Sequence, residues 1–363
     1  MITSFDEMVQ KVKDRPSKTI AVAGAESKSV LSAVAHAQQQ GLADAVLVGN
    51  REKIIRISEE YQIDISPFDL VNTSDETQSV VRCLQLVREK LADTLMKGTC
   101  STATLLRGVL EKEHGLRHGK LLSHIAAFEL PTYHKLLFMS DGGMNIYPDL
   151  DAKIGMIENA VQVAKSFKIR KPKVAMVTAL EKVNHQSMPC TADAAVISKM
   201  SDRGQIIDCI VDGPLALDNA LDKQACDIKG IKSPVGGDAD ILIFPFIEVG
   251  NVFYKAMTCL TDCKTAGIVM GAKVPVIVSS RSDSEDARYY SIALAMLIES
   301  SCHDEKYQPD NIIIVCTVAG SERLESEISG HFCPKWLYQT IQSGTKYLQL
   351  WTGRALPLWK PRR

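Results

Sequence analysis

Thr19–Gly49 reads TIAVAGAESKSVLSAVAHAQQQGLADAVLVG. Thr19–Ala23 is a short apolar run closed by Gly24, the signature of a buried strand. From Ser27 to Gln40 the apolar positions Val30, Leu31, Val34 and Ala37 recur at helical spacing. Gly41 stands where the glycine that follows a helix belongs. Ala45–Gly49 is a second apolar run. The segment therefore spells strand, helix, strand, with a crossover long enough to join two parallel strands.

The same alternation runs outward through most of the chain. Strands are expected at Thr94–Met96, Lys135–Met139, Lys173–Thr178, Ile206–Val211, Ile241–Phe244, Gly267–Met270 and Val274–Val278. Helices are expected at Ser74–Glu89, Ser101–Glu111, Asp151–Phe167, Ala192–Met200 and Asp286–Glu299. The strand candidates are continuous apolar runs without polar alternation, as burial on both faces of a parallel sheet produces. The fold class is α/β, doubly wound.

Composition narrows the function. The chain has 363 residues, 45% hydrophobic and 23% charged, which excludes a disordered or fibrous protein. Its net charge of −1 gives no electrostatic basis for binding nucleic acid or an anionic membrane. The ten cysteines form no C-x-x-C pair and lie scattered among apolar runs, as reduced core cysteines do. No set of four Cys and His has zinc-ligand spacing, so no structural zinc site is expected. Met1–Lys18 lacks an apolar signal segment, and no run approaches the roughly 18–20 residues of a membrane span. The expected location is the cytoplasm.

Three polar clusters follow expected strands, at the carboxyl ends where open α/β sheets bind ligands. They are Lys97-Gly98-Thr99, Asp141–Asn145 (DGGMN) and Ser279–Asp286 (SSRSDSED). In the last, Arg281 can hold an oxyanion bidentately, Ser280 can donate, and Asp286 can accept a proton. On spacing alone the plainer reading leads: Ser282 or Ser284 caps the next helix and Asp286 complements its dipole. Asn145 offers a donor and an acceptor beside two glycines, or simply ends a turn. Lys97 is equally a phosphate ligand or an ordinary strand-end lysine. Asn251 could cap a helix starting there, and Lys255 could be solvated. His114 and His118 have H-x-x-x-H spacing, but Gly115 interrupts the helix and no third ligand is near. The chain has neither a G-x-G-x-x-G fingerprint nor a G-x-S-x-G elbow.

Together the motifs resemble the phosphate acetyltransferase/phosphate butyryltransferase family, and its butyryl branch most closely. The resemblance rests on MKG at 96–98, TLLRGVL at 104–110, SHIAAFELP at 123–131 and DGGMNIYPDL at 141–150. It continues through EKVN at 181–184, IVDGPLALDN at 210–219, GDADIL at 237–242 and GNVFYK at 250–255. AGIVMGAK at 266–273, Ser280-Arg281 and SIALA at 291–295 complete it.

The resemblance implies two doubly wound α/β domains around a cleft, of the isocitrate/isopropylmalate dehydrogenase-like kind. The first would comprise 1–145 plus 282–300, and the second 146–281. It implies a phosphate acyltransferase converting a short-chain acyl-CoA, butyryl-CoA first, and phosphate reversibly to acyl phosphate and CoA. CoA and phosphate are then substrates, no cofactor is needed, and a homo-oligomer is expected. By the same resemblance Asp286 is the base that deprotonates the CoA thiol, and Arg281 and Ser280 bind phosphate or the transition state. Lys97, Asn145, Asn251, Tyr254 and Lys255 line the cleft.

The alternatives are phosphate acetyltransferase, a metal-dependent dehydrogenase, and a catalytically inactive CoA-ester-binding protein. Gly142 and Gly143 stand where many butyryl-branch sequences carry alanines, and Tyr147 where they carry a small residue, so the acyl preference stays open. Residues 301–363 hold all three tryptophans and have no counterpart in the resemblance. They read as a lineage-specific extension or, preferentially, as the product of a shifted frame or gene junction. Loose packing and little contribution to activity are expected of them.

Overall fold

A computed structural model of the chain describes residues 1–119, 121–279 and 283–298. Among these lie strands β1 Lys18–Ala23, β2 Ala43–Gly49, β3 Asp69–Asn72, β4 Thr94–Lys97, β5 Ser123–Glu129 and β6 Leu137–Ser140. β7 Lys173–Val177, β8 Ile210–Leu215, β9 Ile241–Ile243, β10 Lys264–Met270 and β11 Val276–Ile277 follow. The helices are α1 Phe5–Lys13, α2 Lys28–Gln39, α3 Arg51–Glu60, α4 Glu76–Arg88, α5 Thr102–Leu110 and α6 Leu150–Ser166. The later ones are α7 Pro189–Asp202, α8 Leu217–Leu221, α9 Lys223–Lys229, α10 Ile247–Leu260 and α11 Glu285–Leu297.

The opening segment folds as its pattern dictates. β1 and β2 pair in parallel, Lys18 opposite Ala43 through Ala23 opposite Val48. α2 crosses between them and buries Val30, Leu31, Val34 and Ala37. Gly41 follows at φ +71°, a backbone angle that a side chain disfavours.

All the strands join one sheet in the order β3-β2-β1-β4-β11-β10-β5-β6-β9-β7-β8. β3, β2, β1, β4 and β11 are mutually parallel. β6, β9, β7 and β8 are parallel to one another. The sense reverses between these blocks through antiparallel pairings of β11 with β10, β10 with β5, and β5 with β6. The continuous apolar runs correctly reported two-sided burial, but the run at Gly267–Met270 lies in β10, which pairs antiparallel with β5 and β11. Their pattern records burial and carries no direction.

The two faces of the sheet are packed differently. On one face, α1, α2, α6 and α11 share one apolar cluster reaching from Leu47 on β2 to Val211 on β8. On the other face the packing divides. One cluster joins α4 and α5 to β1, β4 and β11 through Val80, Leu84, Leu105 and Leu95. A second joins α10 to β5, β6 and β9 through Phe128, Met139, Leu242 and Phe253. β5 itself carries the transition: same-face positions run from Leu122, just before it and in the first of these clusters, through His124, to Ala126 in the second.

Several expectations shift. The strand expected at Ile206–Val211 is β8, Ile210–Leu215, and its proline is tolerated because β8 is an edge strand. α10 starts at Ile247 with Phe246 at its N-cap, so Asn251 lies within the helix and does not cap it. His114 and His118 follow the end of α5 and are exposed off any helix. Cys83, Cys100, Cys190, Cys209 and Cys226 are buried free thiols, whereas Cys259 is exposed and Cys263 half-buried. Among the described residues no helix is long and apolar enough to cross a membrane. Ser280, Arg281 and Ser282, and residues 299–363 with the tryptophans, lie outside the described residues.

Candidate active site

Between the two clusters of the divided face lies a polar group built by four segments: β5, the turn after β6, α10 and the approach to α11. The turn is organised by Asp141, which is buried and follows a cis peptide bond from Ser140. Its Oδ1 accepts from the backbone of Gly143 at 2.7 Å and Met144 at 2.9 Å. Its Oδ2 accepts from the backbone of His124 at 3.0 Å and from Asn145 Nδ2 at 2.7 Å. A carboxylate with this many donors is a structural knot that ties the turn to β5. Asn145 also donates to the Leu122 carbonyl at 3.0 Å.

α10 closes over the turn. Gly250 lies so near it that a Cβ there would sit 2.1 Å from the Asp141 carbonyl oxygen. That approach lets Asn251 Nδ2 donate to the Gly142 carbonyl at 2.9 Å. One turn on, the Tyr254 ring stands edge-on to His124, with 6.1 Å between ring centroids. Burial, reinforced by the nearby Asp283 carboxylate, pushes the Tyr254 phenol well above its ordinary range, so it stays protonated. Lys255 Nζ lies 5.3 Å from the Tyr254 ring centroid.

Asp283 arrives with the segment leading into α11. Arg288, buried on that helix, donates to the Asp283 carbonyl at 2.5 Å and fixes its backbone. Ser284 is the N-cap, its hydroxyl accepting from Ala287 N at 3.0 Å. Asp286 falls in the first helical turn and is exposed. Among the described residues it makes no hydrogen bond or ion pair, and its carboxylate acts electrostatically on Tyr290.

Lys97 ends β4 and is buried, yet among the described residues its ammonium makes one hydrogen bond, to the Gly98 carbonyl at 3.3 Å. A buried cation without a carboxylate partner suits an anionic ligand.

Of the residues singled out in the sequence, the structure thus gathers Asn145, Asn251, Tyr254 and Lys255 around the Asp141 turn. Among the described residues Lys97 and Asp286 make no hydrogen bond to that group. Asp283, Asp141 and His124 belong to it and were missed as site residues. The available signal was a histidine set directly beside the apolar run Ile125–Phe128.

The sequence matches the family described as Phosphate acetyl/butaryl transferase over residues 4–85 and 76–296. It is 47% identical over 298 residues to the phosphate butyryltransferase of Clostridium acetobutylicum, covering 82% of this chain and 99% of that one. It is 41% identical to the phosphate acetyltransferase of Thermotoga maritima, covering 80% and 98% of the two chains. The structure resembles a branched-chain phosphotransacylase from Enterococcus faecalis V583 with a TM-score of 0.69 and 32% identity, covering 78% and 99%. This chain belongs to the phosphate acetyl/butyryl transferase family.

Proposed function

We propose that the protein is a phosphate acyltransferase that converts a short-chain acyl-CoA, butyryl-CoA first, and phosphate reversibly to acyl phosphate and CoA. The observation carrying this reading is the polar group between two apolar clusters, on a chain that aligns along nearly the whole length of phosphate butyryltransferases. A phosphate oxygen attacks the thioester carbonyl, and the tetrahedral oxyanion collapses by expelling the CoA thiolate. In reverse, the thiol must lose its proton before it attacks the acyl phosphate. Asp286, exposed and making no hydrogen bond or ion pair with any described residue, takes that proton. Arg281 and Ser280 hold phosphate and the developing charge. Lys97 holds a second anionic part of the substrates, and Asn145, Asn251, Tyr254 and Lys255 line the site.

The reading includes two domains of isocitrate/isopropylmalate dehydrogenase-like kind, 1–145 with 282–300 and 146–281, and a cytoplasmic homo-oligomer. Residues 301–363 lie beyond the family match and are an appendage in this reading.

The test is release of CoA thiol from butyryl-CoA with and without phosphate, beside acetyl-CoA. Phosphate-dependent release, faster with butyryl-CoA, is expected; faster release with acetyl-CoA makes the protein a phosphate acetyltransferase. Binding of butyryl-CoA without phosphate-dependent release refutes both. Asp286→Asn is expected to lower kcat by about 10²–10⁴-fold, the usual worth of a general base. Full activity in that variant removes Asp286 from the mechanism.

A further inference from the structure

We infer that His124 is a further catalytic residue, a neutral imidazole whose Nε2–H donates to the thioester carbonyl oxygen as it becomes an oxyanion. The inference rests on the acyl transfer proposed above. Its starting point is an orphan: Nδ1 of His124 is buried and has no hydrogen-bond partner among the described residues. A neutral imidazole carries one N–H, and a buried N–H without an acceptor is rarer than an under-satisfied lone pair. The proton therefore sits on Nε2. That atom makes no hydrogen bond to any described residue and is not among the sealed, unpartnered ones. A donor is left with no described residue to receive it.

The surroundings keep the ring neutral and the space clear. Burial lowers the pKa of His124, opposed in part by the Asp141 and Asp283 carboxylates. Neither anion takes the ring proton. Asp141 is saturated by donors from the turn and from β5, and Asp283 faces the Tyr254 hydroxyl. Gly267, on the neighbouring strand, leaves room for the ring: a Cβ there would sit 2.9 Å from Nε2. At Gly143 a Cβ would meet only the His124 side chain, at 3.6 Å.

The step needs no net proton. As phosphate oxygen bonds to the carbonyl carbon, the C=O π pair moves onto oxygen and strengthens the bond from Nε2–H. Collapse restores the C=O and breaks the C–S bond, the electron pair leaving on sulfur. The imidazole keeps its proton throughout, so the same contact serves both directions.

The experiment compares wild type, His124→Ala, His124→Gln and Gly267→Ala. Initial rates are measured in both directions with butyryl-CoA and butyryl phosphate, and CoA binding by titration calorimetry. Loss of one oxyanion donor lowers kcat by about 10²–10³-fold. His124→Ala is expected to lose that much in both directions with CoA affinity within about twofold of wild type. His124→Gln, which retains an N–H of similar reach, should recover about tenfold of the loss. Gly267→Ala keeps the histidine but displaces its ring, and should lower kcat without loss of CoA binding.

Wild-type kcat in folded His124→Ala overturns the inference. So does a His124→Gln loss equal to that of alanine and matched by lost CoA binding. If His124→Ala does not fold, Gly267→Ala decides, and a wild-type kcat there overturns it. Inactive wild type overturns the acyl-transfer reading itself, a distinct result.

Discussion

Replacing Gly250 with alanine puts a methyl group where the Asp141 carbonyl already is. The added Cβ would lie 2.1 Å from that oxygen, 2.9 Å from its carbon and 3.2 Å from the Gly142 Cα. A carbon needs about 3.3 Å from a carbonyl oxygen, so helix and turn must separate by about 1.2 Å. Neither partner can swing aside, because both are backbone and the turn is tied to β5 through Asp141. The Asn251–Gly142 bond, now 2.9 Å, then stretches to about 4 Å and is lost. Overpacking of this kind costs about 1–3 kcal/mol, or roughly 1–4 °C in Tm for a chain of this size.

The catalytic cost is larger in proportion, because α10 also carries Tyr254. Misplacement of site groups by about 1 Å lowers kcat by about 10²-fold. Scanning calorimetry and the thiol-release assay read the two effects on one preparation. Gly143→Ala is the internal control for stability: its Cβ meets the His124 side chain at an ordinary 3.6 Å. Wild-type Tm and wild-type kcat in Gly250→Ala would refute the claim that the seat of α10 on the Asp141 turn sets the site.

Two further outcomes follow from buried charge. Lys153 is 3% exposed and its ammonium lies 2.6 Å from Asp193, itself 34% exposed. Asp193→Ala strands that cation and is expected to cost about 2 kcal/mol, less than a fully buried pair because water reaches the aspartate. Urea unfolding should show a lower midpoint at unchanged slope, partly restored by adding Lys153→Met; an unchanged midpoint in the single variant refutes the argument. Asp238 is pushed up by burial but more than compensated by hydrogen bonds from Lys135, Lys173 and His134, which hold its carboxyl well below the usual range. A depressed folded pKa contributes stability above the unfolded value of about 3.9 and loses it as pH falls toward the folded one. Tm should therefore fall more steeply below about pH 5 in wild type than in Asp238→Asn, and parallel curves would refute the assignment.

Much of the fold was legible because periodicity reports burial. β1, α2 and β2 fall within a residue or two of their expected bounds, and Ser284 caps α11 as one reading of its spacing required. What escaped were features that local pattern does not encode. Edge strand β3, Asp69–Asn72, carries little burial and hence little signal. β5 passed unrecognised as a strand because alanines and a histidine dilute its β-propensity. The reversal of sense at β10 and β5 depends on partners far apart in sequence, such as Gly267 opposite Ala126.

The site was legible in a similarly uneven way. Asn145, Asn251 and Tyr254 could be picked out from motifs and resemblance, and they converge. Asp141 looked like an ordinary turn residue, since its role comes from donors on β5 and the 143–145 turn. His124 is a polar residue at the head of a largely buried strand, and only the unpartnered Nδ1 distinguishes it from a satisfied core histidine.

The unequal packing of the two faces has a mechanical consequence. A layer that is continuous on one side and jointed on the other bends more easily about the jointed side, as a bound book opens away from its spine. Flexure about that joint is expected to move the His124 and Tyr254 rings against one another without parting strands. Such bending is expected to change how far water reaches the His124 ring, and with it how strongly nearby dipoles act.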